Sequence, residues 1–469
     1  MDVENYTTQQ VAQKAGVHKD TILRWLREGK IQEPDRNRNG WRVFNDSQVS
    51  DILNFANGSQ GSINLVNEPA EVYEKTNPAS LKIAQLHKVD WDFNNANSSY
   101  LTHSIHPYPA KFIPQIPKTL IRELASTGDT ILDPFCGSGT TLVESLRLEC
   151  NAIGIDSNPL ACLMSRAKTH VIDEEEVEIL VNLAKDTEGL SENFSTGTLT
   201  LFGETLYNYV EKHKFKGVED WFDQHVIEEL SYIKEVCLRI ENLRVRDLAL
   251  TAFSSIIVIV SRQDSDTRYV RREKNTKPGD TFKQFVRALR HTIKKSLEFS
   301  EEVITPYKAQ VLQSSILLPP EIPPVDLVVC SPPYPNAYSY HLYHRTRMMW
   351  LGMDQPTFKQ DEIGSHRKYS RKGKNAATAD TFRGELYTIL SWLTHMIRNN
   401  GYACFVIGDS TLKGERIKND ELLIEVAKGL GYKVEANINR TLQSTRKSFN
   451  PKIGKIREEH IVILKNRLN

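Results

Sequence analysis

The chain has 469 residues, 39% of them hydrophobic and 25% charged, which is ordinary for a soluble globular protein and too long for one ordinary core. Sixty Lys and Arg stand against 59 Asp and Glu, so any affinity for phosphates must come from local basic patches. No apolar run approaches the roughly 18 residues of a membrane helix, which leaves no reason to expect a membrane.

The first residues, MDVENYTTQQ, are polar and acidic rather than a secretory signal, so the expected location is cytoplasmic. Six cysteines at 136, 150, 162, 237, 330 and 404 include no C-x-x-C pair. They read as reduced thiols used in packing, with no metal expected.

Residues 1–57 form a first unit. Val11, Ala12 and Ala15 recur at helical spacing, Gly16 breaks the helix, and a second helix starts near Lys19 with Ile22, Leu23, Trp25 and Leu26. Residues 36–40 (RNRNG) read as a hairpin tip, returning through Trp41, Val43 and Phe44. Residues 58–85 carry Gly, Ser, Asn and Pro without periodicity over most of their length and read as a linker.

Residues 86–172 change rhythm. Short apolar strands at residues 130–133 and 151–156 flank a helix. Strand signals return at residues 326–330, 402–407, 433–438 and 460–464, alternating with helical stretches. That alternation predicts an α/β protein with a parallel doubly wound sheet, closed by an antiparallel strand near the C-terminus. Residues 173–305 are mainly helical in pattern and read as an insertion, a candidate target-recognition region; residues 306–469 form a second half of the sheet domain.

Two strand ends carry chemistry. The first strand runs straight into DPFCGSGTT, where Gly137 and Gly139 permit a tight turn and Thr140 opens a helix. The second ends in GIDSNP, with Asp156 23 residues after Asp133, placed to accept hydrogen bonds from two ribose hydroxyls. Residues 326–334 read DLVVCSPPY, putting Ser331, Pro332, Pro333 and Tyr334 at the carboxyl end of a strand. The prolines fix the backbone, the Pro332 carbonyl and Ser331 hydroxyl can accept from an amine, and Tyr334 offers a ring for stacking. A dinucleotide fold would want G-x-G-x-x-G, which this turn lacks.

D-P-F-x-G-S-G-T-T and S-P-P-Y together resemble the first and catalytic motifs of S-adenosylmethionine-dependent DNA amino-methyltransferases, the cytosine-N4/adenine-N6 family. The resemblance implies a class I methyltransferase sheet with S-adenosylmethionine as cofactor. It assigns Asp133, Phe135, Gly137, Gly139, Thr140 and Asp156 to cofactor binding, with Phe112 and Pro114 of HPYPAKFIP walling the pocket. His103, His106 and Lys111, with no carboxylate nearby in sequence, read as polar cofactor or DNA contacts rather than metal ligands. Residues 331–334 would be catalytic, and Ser at the first position goes mostly with cytosine N4. Cys330 departs from the Thr many cytosine enzymes carry. The cofactor-first motif order differs from many close relatives. Residues 1–57 resemble the MerR and excisionase winged helix-turn-helix, most specifically through GWRVF.

The expected substrate is double-stranded DNA with the target base flipped out, and a cognate restriction endonuclease is the candidate partner. DNA contacts are expected from Lys19, Thr21 and Arg24 on the second helix and Arg38 with Arg36 and Arg42 on the wing. Three basic stretches add to these. Residues 262–295 hold eleven Lys or Arg against four acids and include Arg268, Arg271 and Arg272. Residues 359–374 hold six against two, with Arg367 and Lys368, and residues 440–457 hold six against none, with Arg446. Tyr269, Tyr369 and Phe449 interleave them, favouring a phosphate-lined cleft. The alternatives are an adenine-N6 DNA methyltransferase, a tRNA base methyltransferase, and a DNA-binding regulator with a vestigial enzyme domain.

Overall fold

The computed structural model describes residues 6–17, 19–27, 30–36, 42–58, 78–109, 113–195, 207–266, 268–303, 306–335, 339–369, 377–412, 414–442 and 458–467. Its central feature is a seven-stranded sheet. In chain order the strands are β1 (Thr130–Asp133), β2 (Asn151–Asp156), β3 (Ala309–Gln313), β4 (Val325–Cys330), β5 (Ile397–Gly408), β6 (Lys433–Thr441) and β7 (Glu458–Lys465). They lie in the order β6-β7-β5-β4-β1-β2-β3. Neighbours from β5 to β3 pair in parallel, while β7 runs antiparallel to both β5 and β6. This is the doubly wound sheet with its closing antiparallel strand. The edge strand β3 is the one sheet strand the sequence pattern did not announce.

Sequence and burial explain the layers. On β4, Val325, Val328, Val329 and Cys330 are fully buried, as a parallel strand covered on both faces requires. One face packs Leu132, Val328, Phe405 and Val462 against Phe382, Leu386 and Leu423 from two covering helices. The other packs Ile131, Val329, Cys404 and Ile463 against Ile116 and Leu120. All six cysteines are free and buried, and burial pushes the Cys136 and Cys330 thiols up.

Between β2 and β3 the chain leaves the sheet. Helices Glu174–Ser195, Gln224–Leu238, Leu243–Val260 and Asp280–Glu302 enclose a core of Leu230, Phe253, Phe282 and Phe285. Among its described residues the segment is mainly helical as expected, with one hairpin, Gln263–Ser265 with Arg268–Arg271.

Near the N-terminus, helices Thr8–Lys14 and Lys19–Arg27 meet around Gly16 (φ +61°). The antiparallel pair Asp35–Arg36 and Arg42–Val43 follows, then helix Asp46–Gly58. Val11, Ile22, Trp25, Phe44 and Ile52 form its core. The linker ends earlier than expected: Pro78–Leu86 is a helix whose Leu86 is fully buried beside Trp91. Among the described residues no helix is long and apolar enough to cross a membrane.

Candidate active site

The turn after β1 is shaped by close approaches only glycine permits. Gly137 has φ +50°, and a Cβ there would stand 3.3 Å from the Tyr108 ring. Gly139 has φ +80°, with a Cβ 3.0 Å from the Ser165 Cα. It caps helix Thr140–Arg147, whose free N–H groups face the turn. Asp133 is buried, and its Oδ1 accepts from the Phe135 N–H at 3.0 Å. Burial lifts its pKa to about 7. Phe135 packs against the sheet core, and Thr140 is buried.

Asp156 closes the turn from the end of β2. Its Oδ2 accepts from the Gly137 N–H at 2.9 Å and its Oδ1 from the Asn158 N–H at 2.8 Å. Burial lifts its pKa to about 6. A carboxylate has about four acceptor sites, so two remain for a ligand. The Ser138 hydroxyl is buried in this turn without a hydrogen-bond partner. An unsatisfied buried hydroxyl, a glycine cradle and a carboxylate with spare lone pairs fit the polar ends of a nucleoside cofactor.

Ser331, Pro332, Pro333 and Tyr334 leave the carboxyl end of β4, which pairs with β1 through Ile131–Leu327 and Leu132–Val328. The two motifs, far apart in sequence, thus emerge side by side. Thr141, on the helix after the glycine turn, donates to the Val329 carbonyl at 3.3 Å and ties the two strand ends together. Pro332 is buried; Ser331, Pro333 and Tyr334 are partly exposed.

Several residues of this site were not legible in sequence. Gly364, at φ +69°, lies so close to the tetrapeptide that a Cβ would sit 2.6 Å from the Tyr334 carbonyl oxygen. Glu362 accepts from the Tyr340 N–H and from His341 Nδ1, both at 2.5 Å, and Ser339 and Ser365 join through their hydroxyls at 3.1 Å. Tyr108 stacks on Tyr340 at 5.6 Å and on His344 at 5.1 Å. Burial among these rings drops His344 to about 3, so it stays neutral.

The histidines of the upstream motif are corrected by the structure. His103 is fully buried and has a carboxylate partner after all, Glu144 at 2.7 Å, which also receives Tyr100 and Arg147. His106 is buried between the Pro107 carbonyl (2.6 Å) and Ser254 (3.0 Å), and burial holds its pKa low. Both are framework groups rather than surface contacts. Pro114 is buried at the start of helix Gln115–Leu124; Phe112 and Lys111 lie outside the described residues.

The basic residues divide. Arg268, Arg271 and Arg272 are 56%, 56% and 73% exposed, with Asp264 or Asp220 at 3.2–3.5 Å. Lys368 instead pairs with Glu385, and Tyr369 is a buried core residue whose hydroxyl meets the same carboxylate, so neither lines an open cleft. Arg440 is buried on Glu459 at 2.9 Å. Arg42 holds Glu33 at 2.8 Å and Glu301 at 3.0 Å, joining the N-terminal unit to the helical insertion instead of standing free on a wing. Lys19, Thr21 and Arg24 lie on the second helix, where Thr21 is partly exposed. Arg367 lies on the short helix His366–Tyr369. Arg38, Arg446 and Phe449 fall outside the described residues.

Among the described residues, Asp409, Asp420 and His460 bring ligand-type atoms within 4.8 Å of one another. Arg416 binds Asp409 at 2.6 Å and Asn437 binds Asp420 at 2.8 Å, so the cluster is an internally compensated network.

A family model described as DNA methylase matches residues 19–166. The Type II methyltransferase M.MvaI of Kocuria varians is 26% identical over 435 residues, covering 80% of this chain and 94% of that protein. M.MjaII of Methanocaldococcus jannaschii is 34% identical over 135 residues, 28% of this chain and 25% of its own. M.BsoBI of Geobacillus stearothermophilus is 24% identical over 299 residues, 56% and 55% of the two chains.

Proposed function

We propose that this chain, an S-adenosylmethionine-dependent amino-methyltransferase akin to the Type II DNA methyltransferases, methylates the exocyclic N4 of a cytosine flipped out of duplex DNA. The observation that carries the reading is the adjacency of residues 331–334 on β4 to the glycine turn on β1. S-adenosylmethionine supplies an electrophilic methyl group on a sulfonium.

The chain's own residues do the rest. Gly137, Gly139 and the N-terminus of helix Thr140–Arg147 form the cradle, with Phe135 at its edge and Asp133 bracing the turn. Asp156 takes the ribose hydroxyls on its spare lone pairs. The exocyclic amine of a base has its lone pair delocalised into the ring. Two acceptors aimed at its hydrogens, the Ser331 hydroxyl and the Pro332 carbonyl, favour the pyramidal nitrogen, which would take the methyl in line as the methyl–sulfur bond breaks and then release one amine proton to solvent. Tyr334 stacks on the base. Proximity and preorganised polarity are the catalytic devices, with no covalent nucleophile. A duplex base cannot reach such a cleft, so extrusion is required.

The Ser at position 331 favours cytosine over adenine on the family resemblance. In this reading residues 173–305 supply target recognition. Residues 1–57 act as a winged helix-turn-helix that grips flanking DNA and raises its effective concentration at the cleft. Mass spectrometry of nucleosides, after incubating duplex DNA with the protein and isotopically labelled S-adenosylmethionine, tests the reading. Labelled N4-methylcytosine is expected. N6-methyladenine overturns the base assignment, and modification of tRNA but not DNA overturns the substrate class.

A further inference from the structure

The hairpin Gln263–Ser265 and Arg268–Arg271 is the strand pair among the described residues of the insertion, and it is wired to the segment that follows the catalytic tetrapeptide. The fully buried Arg347 reaches hairpin residue Asp266 at 2.5 Å and donates to the Ser254 carbonyl at 2.9 Å. Thr346 donates to Gln263 at 2.9 Å. The preceding residue, Arg345, is exposed and lies over the Tyr269 ring, 5.9 Å from its centroid. Tyr269 in turn packs on Trp221 at 4.4 Å and 32°. Arg271 lies over the other aromatic, 5.6 Å from the Trp221 centroid. Arg345 with Tyr269, Tyr269 with Trp221, and Trp221 with Arg271 thus form a chain of three contacts.

This ladder is rigidly keyed to the active site. Arg345 opens a helix that follows Tyr340–Tyr343, and Tyr340 is held by Glu362, two residues from the glycine packed on Tyr334. Arg345 also hydrogen-bonds Tyr269, and a guanidinium has five N–H donors, so donors remain on its exposed side for a phosphate. The carboxylate facing Arg271, Asp220 at 3.2 Å, forms an ion pair with both partners more than half exposed. Such pairs are weak and exchange readily for a phosphate.

We propose that Arg271, Trp221, Tyr269 and Arg345 form a fixed phosphate track that holds the DNA strand beside the extruded base and sets its register against residues 331–334. This rests on the DNA methyltransferase reading and adds to it two residues, Trp221 and Arg345, that lie outside the basic stretches of the sequence. A ladder that merely packs the hairpin would tolerate loss of its charges.

The test uses the full chain, unmethylated linear duplex DNA of mixed sequence, and tritiated S-adenosylmethionine, over a salt series. The Arg271→Gln/Arg345→Gln double variant should raise KM for DNA at least tenfold. It should also lower the slope of log KM against log salt by about 2, near 0.9 per phosphate contact. Turnover at saturating DNA should fall far less, and cofactor affinity by calorimetry should not move. Arg383→Gln, an exposed arginine paired with Glu425, is the charge control and should change neither quantity. Arg345→Lys keeps the charge without the stacked plane and should recover only part of the loss. An unchanged salt slope, an effect no larger than the control's, or full recovery with lysine each overturns the track. If the intact protein leaves duplex DNA unmodified, the methyltransferase reading itself fails, a result distinct from variants that behave like the parent.

Discussion

Gly364→Ala is a one-methyl perturbation aimed at the catalytic backbone from outside the motif. At φ +69° an alanine pays about 1–2 kcal/mol of left-handed strain before any contact is counted. Its Cβ would stand 2.6 Å from the Tyr334 carbonyl oxygen and 3.0 Å from the Pro333 carbonyl carbon. Both are backbone atoms, so no side chain can swing away, and a normal separation needs an opening of about 1 Å. The tetrapeptide would move by a similar amount, and a 1 Å misplacement of reacting groups costs on the order of 10²-fold in rate. The glycine turn lies on other strands and should hold. The expected result is a roughly 10²-fold loss of single-turnover methylation, read with tritiated donor. Cofactor affinity should stay within about threefold by calorimetry, and the unfolding midpoint should fall by no more than a few degrees. Unchanged turnover would refute the idea that residues 362–365 hold the catalytic backbone in place.

Ser331→Ala and Tyr334→Ala should each abolish most turnover while leaving cofactor binding nearly intact; weakened binding without loss of turnover would contradict their placement over the base. In the proposed reading Asp156 accepts both ribose hydroxyls best as a carboxylate, and burial lifts its pKa to about 6. Cofactor affinity should therefore fall as pH drops through about 6, approaching tenfold per unit well below it. Asp156→Asn should bind about 1.5–3 kcal/mol more weakly at neutral pH and lose that pH dependence, as titration calorimetry at several pH values would show. Deleting residues 1–57 should raise KM for DNA more than it lowers turnover; a truncated enzyme with full affinity and the same site preference would mean the unit has another task.

Much of the sheet was written in local pattern, because a parallel strand buried on both faces must be an apolar run. Val325, Val328, Val329 and Cys330 on β4 are such a run. The edge strand β3 escaped because Ala309–Gln313 (AQVLQ) is only half buried and its apolar residues are interrupted by Gln310 and closed by Gln313. The motifs DPFCGSGTT and SPPY were legible for a related reason: each is a strand end whose turn demands particular residues. What could not be read were contacts between distant segments. His103 and Glu144 are 41 residues apart, so the histidine looked available when it is a fully buried framework group. Lys368 sat in a basic run that read as a DNA contact in a phosphate-lined cleft. Its helix, however, turns both it and Tyr369 toward Glu385. Gly364 had no periodic context to mark it, since its need for glycine comes from a left-handed φ and from the Pro333 and Tyr334 backbone packed against it.

The sheet order explains why an insertion of this size leaves the chemistry undisturbed. Helices Glu174–Ser195 through Asp280–Glu302 enter after β2 and leave before β3, the edge strand. The strands that carry the glycine turn and the tetrapeptide, β1 and β4, touch at the sheet's centre, where chain direction across the sheet reverses. Insertion beyond β2 therefore changes what stands over the cleft without separating its two halves. The contacts of Arg347 with Asp266 and Ser254, and of Thr346 with Gln263, run from the catalytic half back into the insertion. An insertion that served only as a spacer would need no fully buried arginine at that junction. The Arg347 Nε bond to the Ser254 carbonyl, with Asp266 beside its terminal nitrogens, limits sliding between the two bodies, as the proposed presentation of DNA to the cleft needs.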